Sequence, residues 1–123
     1  MSLPNIQRIR RTAEFRAVFV HGRRSSNEFI NVVAKPNNLA CLRVGLAVSK
    51  RVGNAVTRNL VKRRVRSTFI NIHVVKGWDV VVTAKPGSSD IPFTELDRAI
   101  KKMIERVGVR VIDSESSSLR TFV

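Results

Sequence analysis

The stretch GNAVTRNLVKRRVRSTF, Gly53 to Phe69, holds the basic side chains Arg58, Lys62, Arg63, Arg64 and Arg66 and no acid. At about 100° per residue, Val61, Val65, Thr68, Phe69 and Ile72 gather on one side of a helical wheel. Asn59, Lys62, Arg63 and Arg66, at i, i+3, i+4 and i+7, fall on the opposite side. A helix over roughly Ala55 to Ile72 therefore has one stripe to bury and one that is almost purely cationic. That combination restricts the fold. The helix must lie on the outside of a core, apolar stripe inward and charged stripe open. A helix whose cations were merely solvated would normally carry Glu at i±4 to relieve them, and none is present. The repulsion is tolerable where phosphates cross the stripe, because each Lys or Arg contact releases condensed counterions. Asn59 adds a neutral donor and acceptor to the row, suited to a base edge or a 2′-hydroxyl.

The rest of the chain supplies the core. Thr12 is placed to cap a first helix, with Glu14 in its first turn. TAEFRAVFVHG then puts Phe15, Val18 and Phe19 on one face, and Gly22 ends it. EFINVVAK and CLRVGLAVSK, separated by the turn-rich PNNLA, suggest a strand pair. In the second of these, Leu42, Val44, Leu46 and Val48 face one side. Arg43, Gly45, Ala47 and Ser49 face the other, which is nearly bare of bulk and would let a ligand's backbone lie close. KRVGN leads into the basic helix, and WDVVVTAK reads as a further strand closed by Pro86 and Gly87. PFTELDRAIKKMIERVG is a last helix, with Leu96, Ile100, Met103, Ile104 and Val107 at helical spacing. The order αββαβα indicates an α+β sandwich. We expect one RNA-binding domain over residues 1–111, with a basic arm over about 1–11 and a mobile, Ser-rich tail over 112–123.

Charge narrows the function. The 123 residues carry 23 Lys and Arg against 9 Asp and Glu, a formal charge of +14. From Phe29 to Trp78 ten cations occur with no acid, so the natural partner is a polyanion. An apolar fraction of 43% argues for a globular chain and not a disordered basic tail. Cys41 is the sole cysteine, in the apolar setting LACLRV; no intramolecular disulfide can form, and a reducing compartment fits. The start MSLPNIQRIRR has no apolar run of signal-peptide length, and no segment could span a bilayer. The expectation is a cytoplasmic protein with no membrane partner. Metal-assisted phosphodiester cleavage needs clustered carboxylates or His. Here Glu95 and Asp97 suit a helix start, Asp79 and Asp90 stand alone, and His21 and His73 lack ligand spacing, so neither catalytic nor metal-binding residues are expected. A helix-turn-helix DNA reader would need a helix just before the basic one, where a strand and KRVGN stand instead; no DNA is expected. A ribosomal-type or chaperone RNA-binding protein shares the charge pattern and is the alternative.

LRVGLAVSKRVGNAVTRNLVKRRVRSTF resembles the signature region of the bacterial ribonuclease P protein subunit, in which V-G-hydrophobic-x-V-S-K-K/R is followed by G-N-A-V-x-R-N-x-hydrophobic-K-R-x-hydrophobic-R. Val44 to Arg51, Gly53 to Val56, Arg58, Asn59, Lys62, Arg63 and Arg66 match that pattern as they stand. RIRRTAEFRAVFVHG resembles the family's basic arm and its helix with two Phe, and WDVVVTAKP with the following helix resembles its last strand and helix, so the likeness runs from about Arg8 to Val107. Leu60 departs, standing where the family usually has Arg. The resemblance implies a small mixed sheet with a left-handed βαβ crossover through the basic helix, against the usual right-handed rule. It implies an endoribonuclease that matures the 5′ end of tRNA, with catalysis carried by a large RNA that also holds most of the Mg2+. Arg58, Asn59, Lys62, Arg63 and Arg66 would then approach the catalytic RNA. Phe15, Phe19, Lys50 and Arg51 would meet the 5′ leader of precursor tRNA. Two aromatic rings beside a small-residue strand face also make a platform for unpaired nucleotides on their own terms. At helical spacing such rings commonly belong to a core, and at least one is expected to be largely buried.

Overall fold

A computed structural model describes residues 6–39, 41–74, 77–109 and 111–113. In chain order the elements are β1 (Ile6–Arg8), α1 (Thr12–His21), β2 (Arg23–Ser26), β3 (Ile30–Pro36), β4 (Leu42–Val48), a 3-10 turn (Lys50–Val52), α2 (Ala55–Asn71), β5 (Ile72–Val74), β6 (Trp78–Ala84), α3 (Phe93–Arg106) and β7 (Val111–Asp113). The fold is a mixed α+β single domain. Its five-stranded sheet has the order β1-β4-β6-β3-β2, and β5 pairs with β7 in a separate two-stranded ribbon. The expected order αββαβα survives as the sequence of the larger elements, with the short strands β1, β2, β5 and β7 added to it. Residues 1–5 of the expected arm and 114–123 of the expected tail lie outside the described residues.

The expected pairing of EFINVVAK with CLRVGLAVSK does not occur. Strand β6 lies between them, antiparallel to β3 and parallel to β4. Its composition explains the insertion. Val80, Val81 and Val82 are all buried, so β6 needs cover on both faces and a neighbour on both edges, which only the sheet centre provides. A turn signal after β3 marks the end of a strand without saying which strand comes alongside.

Alternation along the strands separates two cores. Ile30, Val32 and Ala34, Leu42, Val44, Leu46 and Val48, and Val80, Val82 and Ala84 point to one face. There they pack under α2 (Val61, Val65, Phe69) and α3 (Leu96, Ile100, Met103, Ile104). Val33 and Val81 point to the other face, where Ile9 and Val18 meet them and Phe15 and Phe19 pack alongside. Helix α3 keeps its expected stripe and closes at Gly108, whose φ of 100° suits glycine. There Gly108 N–H donates to the Glu105 carbonyl at 3.0 Å and Val109 N–H to that of Ile104 at 3.1 Å.

Helix α1 begins differently from expectation. Thr12 is already inside it and Arg11 is the cap residue. Arg11 offers no acceptor, so Glu14 Oε1 reaches back to accept its backbone N–H at 3.3 Å. Gly22 does end the helix, its N–H donating to the Val18 carbonyl at 2.7 Å. Close approach makes it glycine, since a Cβ there would lie 2.7 Å from Val33 Cγ1 and 2.9 Å from the Ala34 carbonyl oxygen.

Candidate nucleic-acid interface

The basic helix starts from a tight turn. Gly53 has φ 155° and ψ −164°, and a Cβ there would come within 2.9 Å of Thr57 Cβ and Cγ2. Asn54 Oδ1 then accepts the Thr57 N–H at 2.9 Å and so caps α2. The two stripes separate as expected. Val61, Val65, Thr68 and Phe69 are buried, while Asn59, Arg63 and Arg66 are exposed and Lys62 is half-buried. The side chain of Ile72 lies outside those described. Leu60 is half-buried at the boundary between the stripes. Arg58 is half-buried, and its Nε is enclosed with no hydrogen-bond partner. Arg64 has a different task from its neighbours. Its Nη1 donates to the Ile91 carbonyl at 3.0 Å, tying α2 to the turn before α3. Lys62, Arg63 and Arg66 are left to the open row, with Arg58 at its edge.

The opposite sheet face carries the aromatic pair. Register divides that face into three rows across the strands. The middle row, Arg24, Val33, Val81 and Gly45, is covered by α1. Phe15 and Phe19 are both partly buried there, packed against Ile9, Val18, Val33 and Val81, so that most of each ring is covered, as expected of at least one, while a part stays open. The Phe15 ring rests on Gly45, where a Cβ would meet Phe15 Cε1 at 2.7 Å and Cζ at 2.8 Å. The gap expected to admit a ligand backbone at Gly45 is therefore filled by the protein's own ring. Open small-residue surface begins one row on, at Ser26, Asn31, Thr83 and Ala47, none of them buried. Beyond it Ser49 Oγ accepts the Arg51 N–H at 3.3 Å, and the exposed Lys50 and Arg51 stand at the end of β4. The structure thus gathers Phe15, Phe19, Lys50 and Arg51 around one sheet face and sets the α2 row on the other.

The third row contains what the sequence reading missed. Asp79, 3% exposed, is not isolated. Its carboxylate accepts Arg43 Nε at 2.8 Å and Nη2 at 2.6 Å, and Asn37 Nδ2 at 2.8 Å. The remaining Arg43 nitrogen, Nη1, donates to Glu14 Oε2 at 2.7 Å, so one guanidinium links β4, β6 and α1. Burial works against the Asp79 carboxylate, but the hydrogen bonds from Arg43 and Asn37 outweigh it and hold its pKa below the ordinary value. The Arg43 hydrogen bond likewise lowers that of Glu14, and Asp79 raises that of Arg43. The available signal was the matching starts LRVGLAV and WDVVVTA, which in parallel register set Arg43 beside Asp79. In front of this row lies an open cavity of about 600 Å³ lined by Gln7, Arg8, Arg10, Arg11, Glu14 and Arg43.

Among the described residues no three His, Cys, Asp or Glu side chains gather as metal ligands, and no helix is long and apolar enough to cross a membrane. The family model for Ribonuclease P matches residues 3–108. The ribonuclease P protein component of Clostridioides difficile is 31% identical over 106 residues, covering 84% of this chain and 93% of that protein. That of Clostridium kluyveri is 33% identical over 109 residues, covering 85% and 97%. Among solved structures, the RNase P protein of Thermotoga maritima superposes with a TM-score of 0.73 at 27% identity, covering 82% of this chain and 97% of that one. The Staphylococcus aureus RNase P protein gives 0.73 at 26%, covering 82% and 94%.

Proposed function

The chain belongs to the ribonuclease P protein family, whose role is tRNA 5′ processing, and we propose that it serves as the RNA-binding subunit of such an enzyme, with two faces for two RNAs. The observation that carries this reading is the placement of an acid-free cationic row on α2 and a partly buried aromatic pair on opposite faces of one sheet. The row of Arg58, Asn59, Lys62, Arg63 and Arg66 takes the backbone of the catalytic RNA, exchanging counterions for phosphates. The opposite face takes the unpaired 5′ leader of precursor tRNA. Bases stack on the exposed parts of Phe15 and Phe19, the strand lies along the small row Asn31, Thr83 and Ala47, and Lys50 and Arg51 neutralise phosphates at its end.

In this reading the protein binds and orients, while hydrolysis belongs to the RNA. The carboxylates described do not fit a divalent cation. Asp79 is held by Arg43 and Asn37 and Glu14 by Arg43 and the Arg11 backbone N–H, and among the described residues no ligand cluster accompanies them. Magnesium then belongs with the RNA, and the protein's side chains take no part in the hydrolysis. The setting is the cytoplasm, where precursor tRNA is made.

The test compares precursor tRNA bearing a long leader with mature tRNA in the reconstituted holoenzyme at one fixed salt concentration. A folded Phe19→Ala protein should lower the affinity ratio, with the affinity for mature tRNA nearly unchanged. A general RNA chaperone would lose affinity for both alike. Robust cleavage by RNA-free protein would refute the division of labour.

A further inference from the structure

Arg8, Arg10 and Arg11 line the cavity in front of Arg43 and Glu14, and all three are exposed. Among the described residues their side chains make no hydrogen bond and no ion pair. The acid beside them does not neutralise them. Glu14 spends one oxygen on Arg43 Nη1 and the other on the Arg11 backbone N–H, and Arg43 is further occupied by Asp79. Four arginines against these two acids leave a surplus of two positive charges around a concave opening. Free guanidinium forks match the oxygens of a phosphate.

The position of the cavity separates it from both RNA faces already described. Its floor, Arg43, sits two residues before Gly45 on the same side of β4, about 7 Å away. Ile9 and Phe15 stand on Gly45 and part the cavity from the open row at Asn31, Thr83 and Ala47. Lys50 and Arg51 are at the far end of β4, and the α2 row is across the sheet. A leader lying on the open row meets α1 before it reaches these arginines. We propose that the cavity is a third RNA contact, a seat for a backbone phosphate of the catalytic RNA and not of the leader. The proposal rests on the reading that the chain binds that RNA.

The experiment uses the full chain with Arg10→Gln and Arg11→Gln together; neither side chain supports the fold in the described residues. Affinity for the catalytic RNA is measured across a potassium chloride series. The double variant should bind about tenfold more weakly at moderate salt, with a log–log salt slope shallower by roughly 0.7–0.9, as expected for one lost phosphate contact. The precursor-to-mature affinity ratio of the holoenzyme should not change. Arg98→Gln with Lys102→Gln, exposed on α3 and equal in charge, is the comparison. An equal loss from that pair would mean a diffuse field and overturn the seat. A fall in the precursor-to-mature ratio would assign the phosphate to the leader and overturn it as well. No effect, while Arg63→Ala still weakens binding, would overturn the seat and leave the two-face reading standing. No effect from either would end both.

Discussion

Gly45→Ala is the most direct probe of how the aromatic pair is held. The new Cβ would lie 2.7 and 2.8 Å from two Phe15 ring carbons and 3.3 Å from Ile9 Cβ. Backbone strain is not at issue, because Gly45 is not among the positive-φ residues. To regain ordinary contact the ring must retreat by about 0.7 Å, which loosens its packing on Val18, Val33 and Val81. Overpacking of this kind costs about 1–3 kcal/mol. In a Phe15→Ala background the clash disappears. Gly45→Ala then becomes neutral or stabilising by roughly 0.5–1 kcal/mol, the ordinary advantage of Ala over Gly inside a strand. The two substitutions should thus show a coupling of about 2 kcal/mol. Urea denaturation followed by the fluorescence of Trp78 measures it, provided the m-value stays constant. The leader-dependent affinity ratio of the holoenzyme should fall in the single variant, since the ring has moved. Equal cost of Gly45→Ala in both backgrounds would refute the claim that Phe15 rests on Gly45.

Other perturbations separate scaffold from RNA contact. Arg43→Ala leaves Asp79 buried without its cation and should cost about 3–5 kcal/mol in urea denaturation. The wild-type chain should lose stability as pH falls below about 4, because carboxylates with lowered native pKa stabilise the fold only while ionised. The Arg43→Ala deficit should shrink over the same interval, since a protonated Asp79 no longer needs a cation. Arg63→Ala should weaken catalytic-RNA binding and reduce the salt slope by roughly 0.7–0.9, with Arg98→Ala doing much less. Arg64→Ala should instead lower stability by about 1 kcal/mol through the lost bond to Ile91, with little change in that slope.

The parts of the molecule readable from sequence are those set by local periodicity. The stripes of α2 and α3 and the alternation of β4 follow from side-chain spacing alone; burial agrees with the two helices, and in β4 Leu42, Val44, Leu46 and Val48 all pack on one core. Strand order was not readable in the same way. Nothing near PNNLA announces that a later segment will enter between β3 and β4. The clue was the apolar run of β6, which asks for a central position without naming its neighbours. The Arg43–Asp79 pair depends on that unread register, so it was missed together with it. Gly45 was recognised as a gap, but whether a ring of the same chain or a ligand fills a gap depends on where α1 crosses the sheet. Thr12 failed as a cap because Arg11 and Glu14 supply a competing arrangement one residue earlier.

The late entry of β6 into the sheet governs how this chain can be made. As it leaves the ribosome, β3 and β4 emerge with their inner edges unpaired, and the strand that satisfies both begins some 30 positions after Val48. Until Ala84 has emerged, each can offer that edge to other chains. Helix α2, built from local contacts, needs no such wait and can form first. A nascent chain stalled before Trp78 would therefore display its cationic helix on an unfinished sheet, binding RNA while exposing aggregation-prone edges. A substitution that slows the docking of β6, such as a charge at Val81, should reach the cell as lost soluble protein before it appears as lost affinity.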